Sequence, residues 1–105
     1  MNAMEAVIIT DTRGRIIFFN PYTLRILEAT DKQLLMNSFK SVANLVNDQT
    51  GEPLEDLVQE VVAQTLVVMH EFNTELITRS GKHRKVSVIA RPVKDDRNEL
   101  MGVFI

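Results

Sequence analysis

The sequence has no cysteine, no block of like charges and no long apolar run. Without cysteine it can form neither a disulfide nor a thiolate metal site, and it has no thiol nucleophile or photoadduct site. With 12 basic and 14 acidic residues, its net charge of −2 gives no reason to expect nucleic acid or an anionic membrane as a partner. No apolar run approaches the roughly 20 residues of a membrane helix.

The chain has the size of one ordinary domain. Its 105 residues, 45% of them hydrophobic, are enough to bury a single core, and we assign residues 1–105 to one domain. Residues 1–3 stand before a second methionine, Met4, and are consistent with an expression scar. The sequence stops in the apolar run 100–105, so we expect a domain cut from a longer protein, within or just after its last strand.

The first twenty residues predict a β-hairpin followed by a helix. Residues 6–10 and 15–19 are rich in Val, Ile and Phe, and a four-residue turn that ends in Gly14 separates them. Asp11 can bond the backbone of this turn, and Gly14 can adopt a positive φ. Asn20 followed by Pro21 is typical of an N-cap with proline in the first helical position.

The middle of the chain reads as helical and the rest as strands. Thr30 and Gln33 fit a capping box, and Pro53 stands before a helical apolar period that continues to Met69. From Glu71 the period becomes two, and further strands are expected at residues 85–93 and 100–105. The order β, β, α, α, α, β, β, β favours an antiparallel sheet with helices on one face.

Five segments follow one another along the chain: Ala-Val-Ile-Ile-Thr-Asp at 6–11, Gly-Arg-Ile-Ile-Phe-Phe-Asn-Pro at 14–21, Asp-Gln-Thr-Gly-Glu-Pro at 48–53, Leu-Ile-Thr-Arg-Ser-Gly-Lys at 76–82, and the stretch 92–103. In this order they resemble a PAS domain, the sensory box of bacterial signalling proteins. The resemblance implies an α+β fold: a five-stranded antiparallel sheet in the order 2-1-5-4-3, helices on one face and often a ligand cavity between them. It implies no catalysis, so we do not expect an enzyme.

One of these segments suggests a signalling context. Residues 48–53 look most like the sensory boxes found ahead of GGDEF and EAL domains, and histidine kinases carry similar boxes. The resemblance implies a cytoplasmic bacterial module that is joined to an output domain in its parent chain. Where the family often has glycines after the first helix and in the next turn, this chain has Ala29-Thr30 and Met36-Asn37, and Asn37 can adopt the left-handed conformation.

A ligand cavity and a filled core are both compatible with the apolar residues. Thr74, Thr78 and His70 are the polar groups that strand phase would direct toward such a cavity. No cofactor is evident, and a flavin bound through a cysteine adduct is excluded because the sequence has no cysteine. An unidentified small ligand remains a hypothesis. The candidate cavity lining consists of Phe39, Val58, Val62, Leu66, His70, Phe72, Thr74, Leu76 and Val88.

The sequence has few residues for other chemistry. His70, at the end of the long helix, is the candidate for an axial haem ligand, but a bond to local backbone is the preferred interpretation, and haem is not expected. His83 is read as a solvated turn residue. The paired carboxylates at 55–56 and 95–96 are read as solvated charge, so no metal site is predicted.

Two functions remain. The first is a sensory module that perceives a small ligand or relays a signal to the output domain. The alternative is a dimerisation module with a filled core and no ligand, forming a homodimer through the exposed sheet face or a flanking helix. Ile77 and Ile89, on the outward strand phase, favour this alternative slightly. Neither nucleic acid nor direct membrane contact is expected.

Overall fold

A computed structural model describes residues 5–105. The elements alternate in short segments along the chain. The helices are α1 (Pro21–Leu27), α2 (Asp31–Leu34), α3 (Phe39–Val42) and α4 (Leu57–Gln64). The strands are β1 (Ile8–Asp11), β2 (Ile16–Phe19), β3 (Asn44–Asn47), β4 (Val68–His70), β5 (Thr74–Ile77), β6 (His83–Lys85), β7 (Val88–Lys94) and β8 (Leu100–Phe104).

The strands form two antiparallel sheets. The larger has the order β2-β1-β8-β7-β4, which confirms the predicted arrangement of an antiparallel sheet with β1 and the last two strands at its centre. In chain order, however, the third strand of this sheet is β4 and not β5. The residues from Glu71 onward were predicted to supply this strand, but β5 pairs with β3 and β6 in a second sheet. The extended conformation is interrupted between β4 and β5 at Asn73, whose φ is 56°. This left-handed residue turns β5 away from the larger sheet.

The β1–β2 hairpin is held by the side chain of Asp11. Its Oδ1 accepts hydrogen bonds of 2.9 Å from the backbone N–H groups of both Arg13 and Arg15, and its Oδ2 accepts one of 2.8 Å from Arg15 Nε. Gly14 has a φ of +88°. The predicted turn is therefore confirmed, and Asp95 forms the equivalent turn between β7 and β8, where it accepts from the N–H groups of Arg97 and Glu99.

Helix α1 begins as predicted at Asn20 and Pro21. The Asn20 side chain accepts from the N–H of Thr23, and Pro21 is the first helical residue. The buried Asn20 amide also reaches back along the chain: its Oδ1 accepts from Val7 N–H at 3.0 Å, and its Nδ2 donates to the Glu5 carbonyl at 2.7 Å. One side chain thus joins the start of α1 to the segment before β1.

Helix α2 and the turn after it use short polar contacts. The Gln33 side chain accepts from Thr30 N–H at 2.9 Å, as the capping box requires. The left-handed residue in the turn that follows is Met36, with a φ of 64°, rather than Asn37. Asn37 instead donates from Nδ2 to the Gln33 carbonyl at 2.8 Å, so its side chain caps the helix end.

Helix α4 is shorter than its apolar spacing suggests. It begins at Leu57 because Asp56 caps it by accepting from Val58 N–H and Gln59 N–H, whereas Pro53 forms an isolated bridge with Val46. It ends at Gln64 because Thr65 adopts a left-handed conformation, with a φ of 54°. None of the helices within residues 5–105 has the length and apolar character needed to cross a membrane.

The core lies between the larger sheet and the helices. The inner face of the sheet and the apolar sides of α1, α2, α3 and α4 meet there, with one residue from β5. The buried members are Ile8, Ile16, Leu27, Leu34, Phe39, Ala43, Leu57, Val58, Val61, Leu76, Ala90 and Val103. A hydrogen bond also joins the smaller sheet to helix α1. Ser80, in the turn between β5 and β6, donates from Oγ to the carboxylate of Glu28 at the end of α1, at 2.9 Å.

Gly102 provides a test of how closely β1 and β8 approach. A Cβ at this position would overlap the backbone carbonyl oxygen of Thr10. We expect Gly102→Ala to lower the free energy of unfolding by about 2–3 kcal/mol, because backbone atoms must move to admit the methyl group. Urea unfolding measures the change. Met101→Ala, at the exposed neighbouring position, is the control and should cost less than about 1 kcal/mol; equal losses would contradict the prediction.

Asp11 should make stability depend on pH. Partial burial raises the pKa of Asp11, but hydrogen bonds outweigh this effect and hold the pKa below its ordinary value. They come from the backbone N–H groups of Arg15 and Arg13 and from the Arg15 guanidinium. The carboxylate therefore stabilises the fold above its unfolded-state pKa, and this contribution is lost as the pH falls through the folded-state pKa. The stability difference between the wild type and Asp11→Asn should shrink as the pH falls below about 4.

Thermal unfolding at a series of pH values measures this difference. Thr12→Ala changes the same turn without removing a titrating group, so its effect should be the same at every pH. A wild-type advantage over Asp11→Asn that stayed constant across the acid range would contradict the assignment.

Candidate functional site

A cavity of about 570 Å³ lies between the two sheets and helices α1 and α3. Its inner walls are apolar and come from separate elements. Leu27 belongs to α1, Phe39 to α3, Leu76 to β5 and Val88 to β7, and Ile8 closes the side formed by β1. The volume falls in the usual range for small-molecule sites, which are mostly apolar and carry a few polar groups.

Local sequence explains how α1 and α3 shape this cavity. Tyr22 and Ile26 are one turn apart on α1, so both side chains lie on the same side of the helix and line the cavity. At the end of α3 the buried lining residue is Ala43, whose single methyl group leaves space that a larger side chain would fill. Ala43 is therefore a position at which a larger side chain can reduce the volume of the cavity.

Charged residues line the cavity as well. Glu5, Lys85 and Arg91 contribute to its wall, and Lys85 and Arg91 are exposed. Within residues 5–105 the ion pairs are Arg15 with Asp11 and His83 with Glu75, so neither Lys85 nor Arg91 has a carboxylate partner there. With two cations and one carboxylate, this part of the wall has an excess of positive charge and can attract an anionic group.

The structure brings three of the predicted lining residues together in this cavity: Phe39, Leu76 and Val88. Thr74 is buried in β5, but its Oγ1 donates to the Phe72 carbonyl at 3.1 Å and is not part of the cavity wall. Val58 is buried in the core and Val62 packs against it, both on α4, which contributes no residue to the cavity wall.

Leu66 and Phe72 do not lie where their spacing predicted. Their exposed fractions are 60% and 80%, so the structure places them at the surface rather than in a cavity. For Leu66 the reason is that α4 ends at Gln64, and the helical period no longer applies beyond it. For Phe72 the reason is the turn at Asn73, which separates it from β5.

His70 lies in β4, opposite Val88 of β7. Its Nε2 is buried and has no hydrogen-bond partner among residues 5–105. The residue is absent from the wall of the cavity, so the geometry provides no axial histidine ligand there for haem. The predicted bond between His70 and local backbone is likewise absent at Nε2.

The other chemistry-bearing side chains have structural contacts. His83 lies in β6 rather than in the turn, and its Nδ1 is 3.1 Å from Glu75 Oε1. Asp56 caps α4 and Asp95 holds a turn, so one carboxylate of each adjacent pair bonds backbone N–H groups. In the described part of the chain, no group of three or more His, Cys, Asp or Glu side chains could hold a metal ion.

Sequence reasoning missed several lining residues: Ile8, Tyr22, Ile26, Leu27, Ala43, Lys85 and Arg91. The spacing of Tyr22 and Ile26 at i and i+4 was a usable signal for α1. No comparable signal existed for Lys85 and Arg91. They belong to strands of two different sheets. The sequence pattern along each strand does not show how the two sheets are placed relative to each other.

Comparison with known proteins agrees with this architecture. A family model described as a PAS domain matches residues 4–105. The fold is similar to the light-state dimer of the fungal blue-light photoreceptor Vivid, with a TM-score of 0.71 and 12% identity over 99% of this chain and 76% of that chain. A search of curated proteins finds no match.

Two further solved structures are bacterial PAS domains. One, from a Colwellia psychrerythraea protein, has a TM-score of 0.70 and 16% identity over 94% of this chain and 80% of that chain. The other, from nitrogen regulation protein NR(II) of Vibrio parahaemolyticus, has a TM-score of 0.66 and 17% identity over 98% of this chain and 87% of that chain. These identities show the fold alone, but the family model covers nearly every residue, and the chain therefore belongs to the PAS domain family.

Proposed function

We propose that this domain is a noncatalytic sensory module that binds a small, largely apolar ligand in the cavity between the two sheets. PAS domains are generally sensory modules without catalytic activity, and bacterial signalling PAS domains share this fold. The observation that carries the proposal is the cavity itself, with a volume of about 570 Å³ and a predominantly apolar wall.

The charges on the cavity wall narrow the ligand class. Lys85 and Arg91 have no ion-pair partner within residues 5–105, and both line the cavity. A ligand with an apolar body and one anionic group would bury its body against Leu27, Phe39 and Leu76 and keep its charge near the two cations. We therefore favour an amphipathic anion over a neutral or cationic molecule.

A ligand can change the conformation of the rest of a protein only if it binds one of two conformational states more tightly than the other. The cavity wall includes Val88 of β7 and Phe104 of β8, two strands at the centre of the larger sheet. A ligand that preferred one spacing of these walls would shift the sheet toward that state. We propose that the recipient is an output domain in a bacterial parent protein, either of the GGDEF or EAL class suggested by residues 48–53 or of the histidine-kinase class. We also propose a cytoplasmic location.

Enlarging Ala43 tests the ligand site. Ala43→Phe places an aromatic ring in the cavity. We therefore expect it to lower the affinity for anilinonaphthalene sulfonate, an apolar anionic probe, by at least about tenfold, as measured from the fluorescence that the probe gains on binding. Ala63→Phe makes the same change on the exposed side of α4 and is the matched control. Circular dichroism verifies that both variants fold. Probe binding that Ala43→Phe left unchanged would show that the cavity is not the site.

A second function, dimerisation, is favoured by the outer face of the larger sheet. Phe18, Phe104, Ile89 and Met69 are apolar and have exposed fractions of 37–50%. Strand register places Ile89 opposite Met69, and Phe18 and Phe104 both opposite Ile9. Phe104 also lies opposite Arg91, two residues from Ile89, so the four apolar side chains share one face with Arg91. Ile77 is not part of it, because this half-buried residue lies in β5 of the smaller sheet.

A charge on this face should prevent self-association. We expect Phe18→Lys and Ile89→Lys to convert a dimer to a monomer, because a buried unpaired ammonium group would oppose association. Light scattering measures the mass. Leu66→Lys, at an exposed apolar residue outside the sheet, is the control and should keep the wild-type mass. A dimer that survived both sheet substitutions would contradict this second function.

A further inference from the structure

Strand β4 is an end strand of the larger sheet, and its outer edge has no partner strand within residues 5–105. On its inner edge it pairs with β7, in a register that sets Met69 opposite Ile89. An unpaired edge presents backbone N–H and C=O groups to which another strand can bond. Proteins usually protect such an edge by covering it or by placing charged side chains on it.

Neighbouring segments cover part of the outer edges of β2 and β3. Beside β2, Ile16 donates its N–H to the Asn37 carbonyl at 2.9 Å and accepts from the N–H of Met36 at 2.7 Å. Beside β3, the carbonyl of Leu45 accepts from the N–H of Leu54 at 2.9 Å. The chain therefore protects these two edges with its own backbone.

The outer edge of β6 is protected by charge. This strand consists of His83, Arg84 and Lys85, and all three residues are exposed. An antiparallel pair of two such edges about Arg84 would place two guanidinium groups side by side, which is unfavourable. Cationic side chains on an edge strand discourage pairing with another strand.

Strand β4 has neither kind of protection. The six residues 65–70 contain no Asp, Glu, Lys, Arg, Pro or Gly. Leu66, Val67 and Met69 have exposed fractions of 60%, 53% and 50%. The left-handed Thr65 accounts for part of this exposure, because it ends α4 before Leu66 can continue the apolar side of the helix. Short apolar segments without charge or proline are the ones that pair most readily as strands.

The direction of the backbone groups in β7 follows from the pairing of β8. Ile105 exchanges two hydrogen bonds with Ile8, of 2.9 and 2.7 Å, so its N–H and C=O face β1. The N–H and C=O of Phe104 therefore face β7, and those of its partner Arg91 face β8.

Alternation along the strands carries this assignment to β4. Because the groups of Arg91 face β8, those of Ala90 face β4, where Ala90 pairs with Val68. The N–H and C=O of Met69, one residue further, point away from β7 to the open edge. Val67, two residues before Met69, directs its groups to the same side. No backbone bond to Val67 or Met69 on this side is found within residues 5–105.

We propose that the open edge of β4 pairs with the same edge of a second copy, antiparallel about a two-fold axis at Val68. In this register Val67 of each copy exchanges two backbone hydrogen bonds with Met69 of the other. The side chains of Val67 and Met69 form apolar cross-strand pairs on the outer face. Two five-stranded sheets become one continuous sheet, and the two-fold symmetry leaves neither β4 edge open.

The character of the edge favours a second copy over another partner. The partner must be extended, apolar and open along one edge, and within residues 5–105 β4 itself meets these conditions. Because residues 65–70 have no acidic side chain, lysine or arginine, the pair opposes no like charges. Glu71, the next charged residue, would lie opposite Thr65. An acidic or basic peptide would find no side chain of opposite charge in residues 65–70.

This contact differs from the dimer of the second function, which buries the outer face of the sheet. Edge pairing leaves Phe18 uncovered, because β2 lies at the opposite end of the larger sheet from β4. It also uses Leu66, which lies outside the face-to-face contact and would stand opposite His70 of the other copy. Neither contact requires that the cavity hold a ligand.

Disulfide crosslinking tests the edge contact. The chain has no cysteine, so a disulfide can form only between introduced residues. At the two-fold axis, position 68 of one copy faces position 68 of the other as a non-hydrogen-bonded pair, with Cα atoms about 4.5 Å apart, a distance that a disulfide spans. Oxidation of Val68→Cys by diamide should therefore give a covalent dimer, separated on a non-reducing gel.

Ala63→Cys, at an exposed position on α4, is the matched control. At equal protein concentration, Val68→Cys should crosslink at least about tenfold faster, because pairing holds its thiols together. Circular dichroism verifies that both variants fold. Equal rates would overturn the proposal, and so would a wild type that is monomeric by light scattering.

Two lysine variants separate the edge contact from the sheet-face contact. Adding Phe18→Lys to Val68→Cys should leave the crosslinking rate unchanged, whereas loss of crosslinking would assign the contact to the sheet face and overturn the proposal. Adding Leu66→Lys should slow crosslinking at least about tenfold, because an edge lysine opposes strand pairing. An unchanged rate with Leu66→Lys, the result that the second function alone predicts, would also overturn the proposal.

Discussion

The position of α1 relative to the larger sheet depends on the buried side-chain amide of Asn20. This group caps the helix and bonds the backbone at Val7 and Glu5, so it fixes where the chain enters β1. Removing it would leave the Val7 N–H without its partner in a buried environment, at a cost of about 1–3 kcal/mol. Ile8 and Leu27 lie on either side of this junction, and both form walls of the cavity. The geometry of the candidate site therefore depends on the hydrogen bonds of one polar side chain that is not itself part of the cavity wall.

Features determined by neighbouring residues could be predicted from the sequence. The Asp11 and Gly14 turn, the Asn20 cap and the Thr30 capping box each depend on groups within a few positions. The pairing of β5 could not be predicted in this way, since alternation with period two fits an edge of either sheet equally well. The decisive residue is Asn73, and only its backbone conformation reveals the break between β4 and β5.

The candidate site shows the same division. Phe39, Leu76 and Val88 were predicted as lining from their apolar character and phase, and they do meet in one cavity. Leu66 lies at the surface instead, because the helix ends at Gln64 while the apolar spacing in the sequence continues past Thr65. The cations at 85 and 91 belong to strands of different sheets, and a pattern read along the chain has no information on such a meeting.

The cavity walls belong to both sheets, with Leu45 and Leu76 in the smaller and Val88 and Phe104 in the larger. The chain crosses between the sheets four times, twice through helical segments at residues 20–43 and 48–67 and twice in short stretches at residues 71–73 and 86–87. A molecule bound between the two sheets would therefore contact strands of both, and its binding would be coupled to how the two sheets pack against each other.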